Sequence, residues 1–123
     1  MSVGMQACVD AALLATMGNR GQLGNVAIEG PISLDLAIDK ETVEIKKFKS
    51  EVAGDADCLL FPNIESANVF YKVNSKLCTG VRQAAIVAGA QAPCVLSSRA
   101  DSIDTKLNSI ALAALPCFFA QLQ

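Results

Sequence analysis

The chain has 123 residues and a mass of 12.8 kDa, enough for one domain, spanning 1–123, that buries most of its unfolded surface. Ten Lys and Arg against twelve Asp and Glu give a net charge of −2 without a long basic block, which excludes the electrostatic footprint of a nucleic-acid binder. The absence of histidine excludes Ser-His and Cys-His catalytic pairs and the common zinc-site patterns.

Hydrophobic residues make up 52% of the chain and charged residues 18%, so part of the surface is expected to face a partner, and an oligomer is expected. No apolar run reaches the length of a membrane span, and MSVGMQACVD lacks the basic flank and apolar core of a secretory signal. A cytoplasmic protein is expected. Cys8, Cys58, Cys78, Cys94 and Cys117 are odd in number, widely spaced, form no CxxC pair and stand among apolar neighbours, which predicts buried, reduced thiols.

In chain order, ACVDAALLATMGNRGQ predicts an amphipathic helix with Val9, Ala12, Leu13 and Thr16 near one face and Gly18 and Gly21 closing it. NVAIEG, 25–30, predicts a short strand, and ISLDLAID a short helix begun by Pro31 and Ser33. The charged stretch KETVEIKKFKSEVAGDAD predicts a solvated helix or loop. CLLFP, 58–62, is apolar enough for a buried parallel strand, and IESANVFYKVNSKLCTG follows with helical spacing of Val69, Val73 and Leu77. AAIVAG and PCVLS are two more strand candidates around a small-residue turn, and DSIDTKLNSIALAAL predicts a helix that Pro116 ends.

Strands alternating with helices predict an α/β fold with a mainly parallel sheet flanked by helices, whose ligands gather at the carboxyl ends of the strands. That rule collects Glu29-Gly30-Pro31, Pro62-Asn63-Ile64-Glu65, Gly89-Ala90 and Ser97-Ser98-Arg99. Ser98 and Arg99 stand where a strand gives way to a helix, so free backbone N–H groups and a guanidinium fork would suit an anion. The alternative is that Ser97, Ser98 or Ser102 caps the helix while Arg99 pairs with Asp101 or Asp104. Asp101 and Asp104 are three apart in the first helical turn, where the dipole stabilises negative charge, and are either a base beside the anion or ordinary N-terminal charges. Asn68 and Lys72, four apart, and Tyr71 could present polar tips to one ligand or form an exposed face, and Glu29 and Asp35 flank a Gly-Pro turn.

Taken together, DAALLATMGNRGQ, EGPISLDLAI, EVAGDADCLLFPNIESANVFYK, VAGAQAPCVLSSRADS and KLNSIALA resemble, in order and spacing, the second half of the phosphate acetyl- and butyryltransferases. Only the tail ALPCFFAQLQ stands clearly outside the match. The resemblance implies acyl transfer between coenzyme A and inorganic phosphate, with acyl-CoA and acyl phosphate as substrates and no metal or redox cofactor. It implies a fold like that of the isocitrate and isopropylmalate dehydrogenases, with the site in a cleft between two domains and a homodimer made largely through the second. Ser98 and Arg99 would hold the phosphate and polarise the reacting carbonyl, with Ser97, Asn68, Tyr71, Lys72, Glu29 and Asp35 as candidate substrate-binding residues. Thr105 stands where the acetyltransferase branch carries its base, so that role passes to Asp104 or Asp101. A second departure is Ser66-Ala67-Asn68, where the family reads Ala or Val, then Gly, then Asn; the methyl of Ala67 restricts close backbone approach.

The chain corresponds to the C-terminal half only, with the N-terminal domain expected to be absent. Three readings follow: an acyltransferase domain, a non-catalytic dimerising or regulatory remnant, or one half of a split enzyme joined by a separate chain carrying the N-terminal domain.

Overall fold

Helix α1 spans Gln6–Asn19 in a computed structural model that describes the backbone of residues 2–120 and the side chains of residues 2–115. Its expected inward face is corrected: Val9, Leu13 and Thr16 are exposed and only Ala12 of that face is half-buried, while the covered face includes Ala11, Leu14, Ala15 and Gly18. The cause is steric. The extended segment 25–30 lies so close to α1 that a Cβ on Gly18 would come within 3.0 Å of Ile28, and one on Gly30 within 3.2 Å of the Ala11 methyl. At Ala11 and Gly18 it is small size that lets the segment approach. Gly18 is therefore inside the helix, and the terminator is Gly21, at φ 69°, whose N–H bonds to the Gly18 carbonyl at 2.8 Å while Gln22 N–H reaches Met17 O at 3.0 Å. These two bonds make a Schellman closure, which needs a residue comfortable at positive φ.

As expected, a short helix follows Ser33: α2, Leu34–Ile38, with Ala37 buried. Asp39 ends α2 and caps α3, Lys40–Lys46, by accepting from the N–H groups of Glu41 and Thr42 at 3.2 and 3.3 Å. The loop beyond returns to α2, where Gly54 N–H bonds to Leu36 O at 2.8 Å and Ala56 N–H to Ala37 O at 3.1 Å.

Helix α4, Ile64–Leu77, and helix α5, Ile103–Ala120, build the rest. On α4 the apolar row Val69, Val73 and Leu77 is exposed, and the partly covered face carries Ala67, Phe70, Tyr71, Asn74 and Ser75. On α5 the covered row is Thr105, Ser109 and Ala113, with Ser109 fully buried. Its Oγ donates to Thr105 O at 2.7 Å and accepts from Ala85 N–H at 2.9 Å, tying segment 84–86 to the helix. Pro116 does not end α5; the backbone stays helical to Ala120, so the missing proline N–H interrupts a hydrogen bond and not the element.

Non-helical segments alternate with the helices in the expected order, but the expected strands do not form among the described residues. The extended segments bond to or lean on helices instead. A single backbone bond, Val87 N–H to Cys94 O at 2.9 Å, links the two strand candidates 84–89 and 93–97. Segment 58–62 has no ladder, and its Leu60 is 80% exposed. The chain divides into two compact units, Met1–Asn63 and Ile64–Gln123. Among the described residues no helix is long and apolar enough to cross a membrane.

Candidate functional site

The Ser98–Arg99 pair lies in a tight turn that precedes α5 rather than at its N-terminus. The turn closes with Asp101 N–H bonding to Ser98 O at 3.1 Å, and Ser98 Oγ accepts from Ala100 N–H at 3.4 Å. In return, Asp101 Oδ2 accepts from Ser98 N–H at 2.8 Å. The carboxylate reaches back to Ser98 N–H as the acidic member of a capping box does, while the Ser98 hydroxyl takes the N–H two residues on and not three. Helix α5 has its own cap: Ser102 Oγ accepts from Thr105 N–H at 3.1 Å and meets Thr105 Oγ1 at 3.0 Å. Ser102 is thus the helix cap, and Ser98 holds the turn before it.

Asp101 also draws in α4. Tyr71 hydroxyl donates to its Oδ2 at 3.3 Å, and Lys72 Nζ stands 3.6 Å from its Oδ1 and 5.0 Å from the Tyr71 ring centre. Burial, then the negative charge of Asp101, pushes the Tyr71 phenol above its ordinary value of 10.0, so it keeps its proton at neutral pH. Asp101 and Asp104 therefore do not share a face: the Asp101 side chain is 5% exposed, while Asp104 is exposed and makes no side-chain hydrogen bond among the described residues. Arg99 is exposed and pairs with neither aspartate, Asp101 being committed to Lys72. Ser97 is half-buried beside Ser98, and Asn68 is exposed one turn before Lys72.

Two further cations border the turn that the sequence reading passed over. Lys76 Nζ donates to Ala100 O at 3.3 Å, and Lys106 Nζ to Arg99 O at 3.5 Å. The signal for Lys76 was its spacing of four from Lys72, which places both on one face of α4. With Lys72 and Arg99, four cationic side chains surround a turn whose only inward-facing charge is a carboxylate.

Glu29 and Asp35 belong to the first unit. Glu29 Oε1 accepts from Gly30 N–H at 3.0 Å, and the residue lines a cavity of about 390 Å³ with Asn19, Asn25, Ser50 and Glu51. Asp35 is held by Lys46 at 2.6 Å, and this hydrogen bond, helped by Ser33, lowers its pKa from 3.8 to about 2. The expectation of buried thiols is corrected: Cys58, Cys78 and Cys94 are exposed and Cys8 is half-buried, because the segments that carry Cys58 and Cys94 gain no covering sheet. The side chain of Cys117 lies outside the described residues.

Comparison with known proteins finds a match over residues 4–114 to the family model described as "Phosphate acetyl/butaryl transferase". A phosphate butyryltransferase of Clostridium beijerinckii is 50% identical over 115 residues, covering 94% of this chain and 38% of that protein. A phosphate acetyltransferase of Thermotoga maritima is 41% identical over 111 residues, covering 90% of this chain and 37% of that protein. The crystal structure of a branched-chain phosphotransacylase from Enterococcus faecalis superposes with a TM-score of 0.79 at 33% identity, over 92% of this chain and 40% of that one. The chain thus spans less than two fifths of the length of these two curated relatives.

Proposed function

Because the chain belongs to the phosphate acetyl/butaryl transferase family, we propose that it supplies the Ser98–Arg99 side of a site that moves an acetyl or butyryl group between coenzyme A and inorganic phosphate. The observation that carries this reading is the Arg99 guanidinium, exposed and unpaired among the described residues, next to a Ser98 hydroxyl that accepts one bond and still has its proton to donate. Arg99 compensates the charge of the phosphate, and Ser98 donates to the oxyanion that develops on the acyl carbonyl. The CoA sulfur attacks the carbonyl carbon of the acyl phosphate; the C–S bond forms as the C–O bond to phosphate breaks, and phosphate leaves. The thiol proton passes to a carboxylate, for which Asp104, exposed and without a side-chain hydrogen bond among the described residues, is the candidate. The reverse direction uses the same contacts, and the scheme draws on no covalent enzyme intermediate, metal or resident cofactor.

This reading brings further parts with it. The extended segments would complete a mainly parallel sheet of the dehydrogenase-like second domain, and the opposite wall of the cleft would come from another segment or from a separate chain. A homodimer fits the exposed apolar rows Val69, Val73, Leu77 on α4 and Ile103, Leu107, Ile110 on α5. A cytoplasmic location goes with a CoA substrate. A second reading, in which the chain binds the anion without turnover, is separated from the first by the measurements that follow.

The test is phosphate binding by calorimetry together with thiol release from acetyl-CoA and butyryl-CoA in the presence of phosphate. Arg99→Ala is expected to lower phosphate affinity about tenfold to a hundredfold, from loss of a charge-assisted contact of roughly 1.5–3 kcal/mol, with the fold retained. Arg99→Lys should recover only part of this, because a point charge does not reproduce the guanidinium fork. Phosphate binding without thiol release supports the second reading. A wild-type chain that ignores millimolar phosphate, or an Arg99→Ala chain that binds it equally well, overturns both.

A further inference from the structure

Asp101 is the inward carboxylate of a turn whose other charged side chains face solvent. Three groups converge on it: Ser98 N–H and the Tyr71 hydroxyl on Oδ2, at 2.8 and 3.3 Å, and the Lys72 ammonium 3.6 Å from Oδ1. A general base must offer a free lone pair to the proton it takes, within hydrogen-bond reach. Here Oδ2 already accepts two bonds, and Oδ1 faces an ammonium group.

Apart from the carboxylate, the turn is held from within by one backbone bond of 3.1 Å and one long bond of 3.4 Å to Ser98 Oγ, and from outside by exposed lysine tips, Lys76 Nζ on Ala100 O at 3.3 Å and Lys106 Nζ on Arg99 O at 3.5 Å. Asp101 adds a tie to Tyr71, thirty residues away on α4. The Tyr71 phenol, protonated at neutral pH already at its ordinary 10.0 and pushed higher by burial and by Asp101, is a donor throughout the neutral range. Such a tie restricts how far the Ser98–Arg99 backbone can rotate before a ligand arrives, and restraint of that kind favours binding.

Resting on the acyl-transfer reading above, we propose that Asp101 is a positioning residue and not the base: its carboxylate ties the Ser98 backbone to α4 through Tyr71 and Lys72, and so aims Ser98 and Arg99 at the phosphate.

Asparagine separates the two roles. The carbonyl oxygen of an Asn can stand in the place of Oδ2 and accept from both Ser98 N–H and Tyr71 hydroxyl; its NH2 group, in the place of Oδ1, gives up the contact with the partly exposed Lys72 ammonium, and the amide cannot take up a thiol proton. On the full 123-residue chain, Asp101→Asn is therefore expected to bind inorganic phosphate within about threefold of wild type, Tyr71→Phe about threefold more weakly, and Asp101→Ala at least about tenfold more weakly. Where wild type releases thiol, Asp101→Asn should keep most of that activity. Far-UV circular dichroism checks that each variant folds. If Asp101→Ala does not fold, the other two variants decide. Tyr71→Phe binding like wild type overturns the proposal. So does a base-like pattern, in which Asp101→Asn keeps full phosphate affinity but loses thiol release altogether. A wild type that binds no phosphate is a distinct outcome: the acyl-transfer reading fails, and the positioning role fails with it.

Discussion

In the first unit the close contacts are made where side chains are missing: Gly18 lies under Ile28, Gly30 against the Ala11 methyl, and Gly54 against Lys40. In the second unit they are made by polar side chains that reach into the backbone, Ser109 to Ala85 N–H, Gln83 to Tyr71 O and Asp101 to Ser98 N–H. The first device lets two pieces of backbone touch, but it presents no chemistry at the contact. The second holds a turn at a distance and leaves its tip, Arg99, uncovered. Both devices specify geometry, and only the second leaves charged groups where a ligand can reach them.

The sharpest way to break this contrast is to put a side chain where the first unit has none. Gly54 has φ 78°, and a Cβ there would stand 2.9 Å from Lys40 Cγ and 3.0 Å from Lys40 Cα. The lysine stem can move, but the Cα belongs to the first residue of α3 and is fixed by the Asp39 cap. Gly54→Ala is therefore expected to cost about 2–4 kcal/mol, combining positive-φ strain with a backbone clash. Urea unfolding followed by circular dichroism would measure it, and a loss under about 0.5 kcal/mol would mean the loop 54–56 can leave α2 freely.

The corresponding change in the second unit removes one atom. Ser109→Ala leaves the Ala85 N–H without its acceptor and should cost about 1–3 kcal/mol, with hydrogen exchange at Ala85 speeding up more than at residues elsewhere in segment 81–88. Exchange that accelerates evenly along the segment would mean that Ser109 is not its anchor.

Helix positions were legible in the sequence: the start after Ser33, Ser102 as one of three candidate caps for α5, and the close at Gly21 all lie within short windows. The buried faces were not. Val9 and Leu13 on α1 and Val69, Val73 and Leu77 on α4 have the spacing of a core-facing stripe, yet they are exposed. Periodicity tells which residues would gain from cover, whereas the neighbour that gives cover is fixed by fit, and at α1 the fit went to Ala11, Ala15 and Gly18. The strands failed for a related reason, since an apolar run such as CLLFP becomes a strand only when another extended backbone pairs with it. At the site, Ser98 and Arg99 could be singled out from the motif. The bond from Asp101 back to Ser98 N–H, three residues away, was also within reach, but the tie from Asp101 to Tyr71 spans thirty residues and leaves no local trace.

The smallest expected effect sets two carboxylate–lysine pairs side by side. Asp35 and Lys46 are 2.6 Å apart and each 48% exposed, whereas Asp101, paired with Lys72, is 5% exposed. Because its folded pKa, about 2, lies below the ordinary 3.8, the Asp35 contact contributes fully above pH about 4 and is lost as pH falls through about 2. Water screens such an exposed pair, so Lys46→Met should return the Asp35 midpoint toward 3.8 while leaving the thermal midpoint almost unchanged. Carbon-detected titration of the Asp35 carboxyl follows the first effect and a melting curve the second. A large drop in melting temperature would mean that this surface pair holds α2 to α3, and that the first unit, like the second, depends on a polar tie.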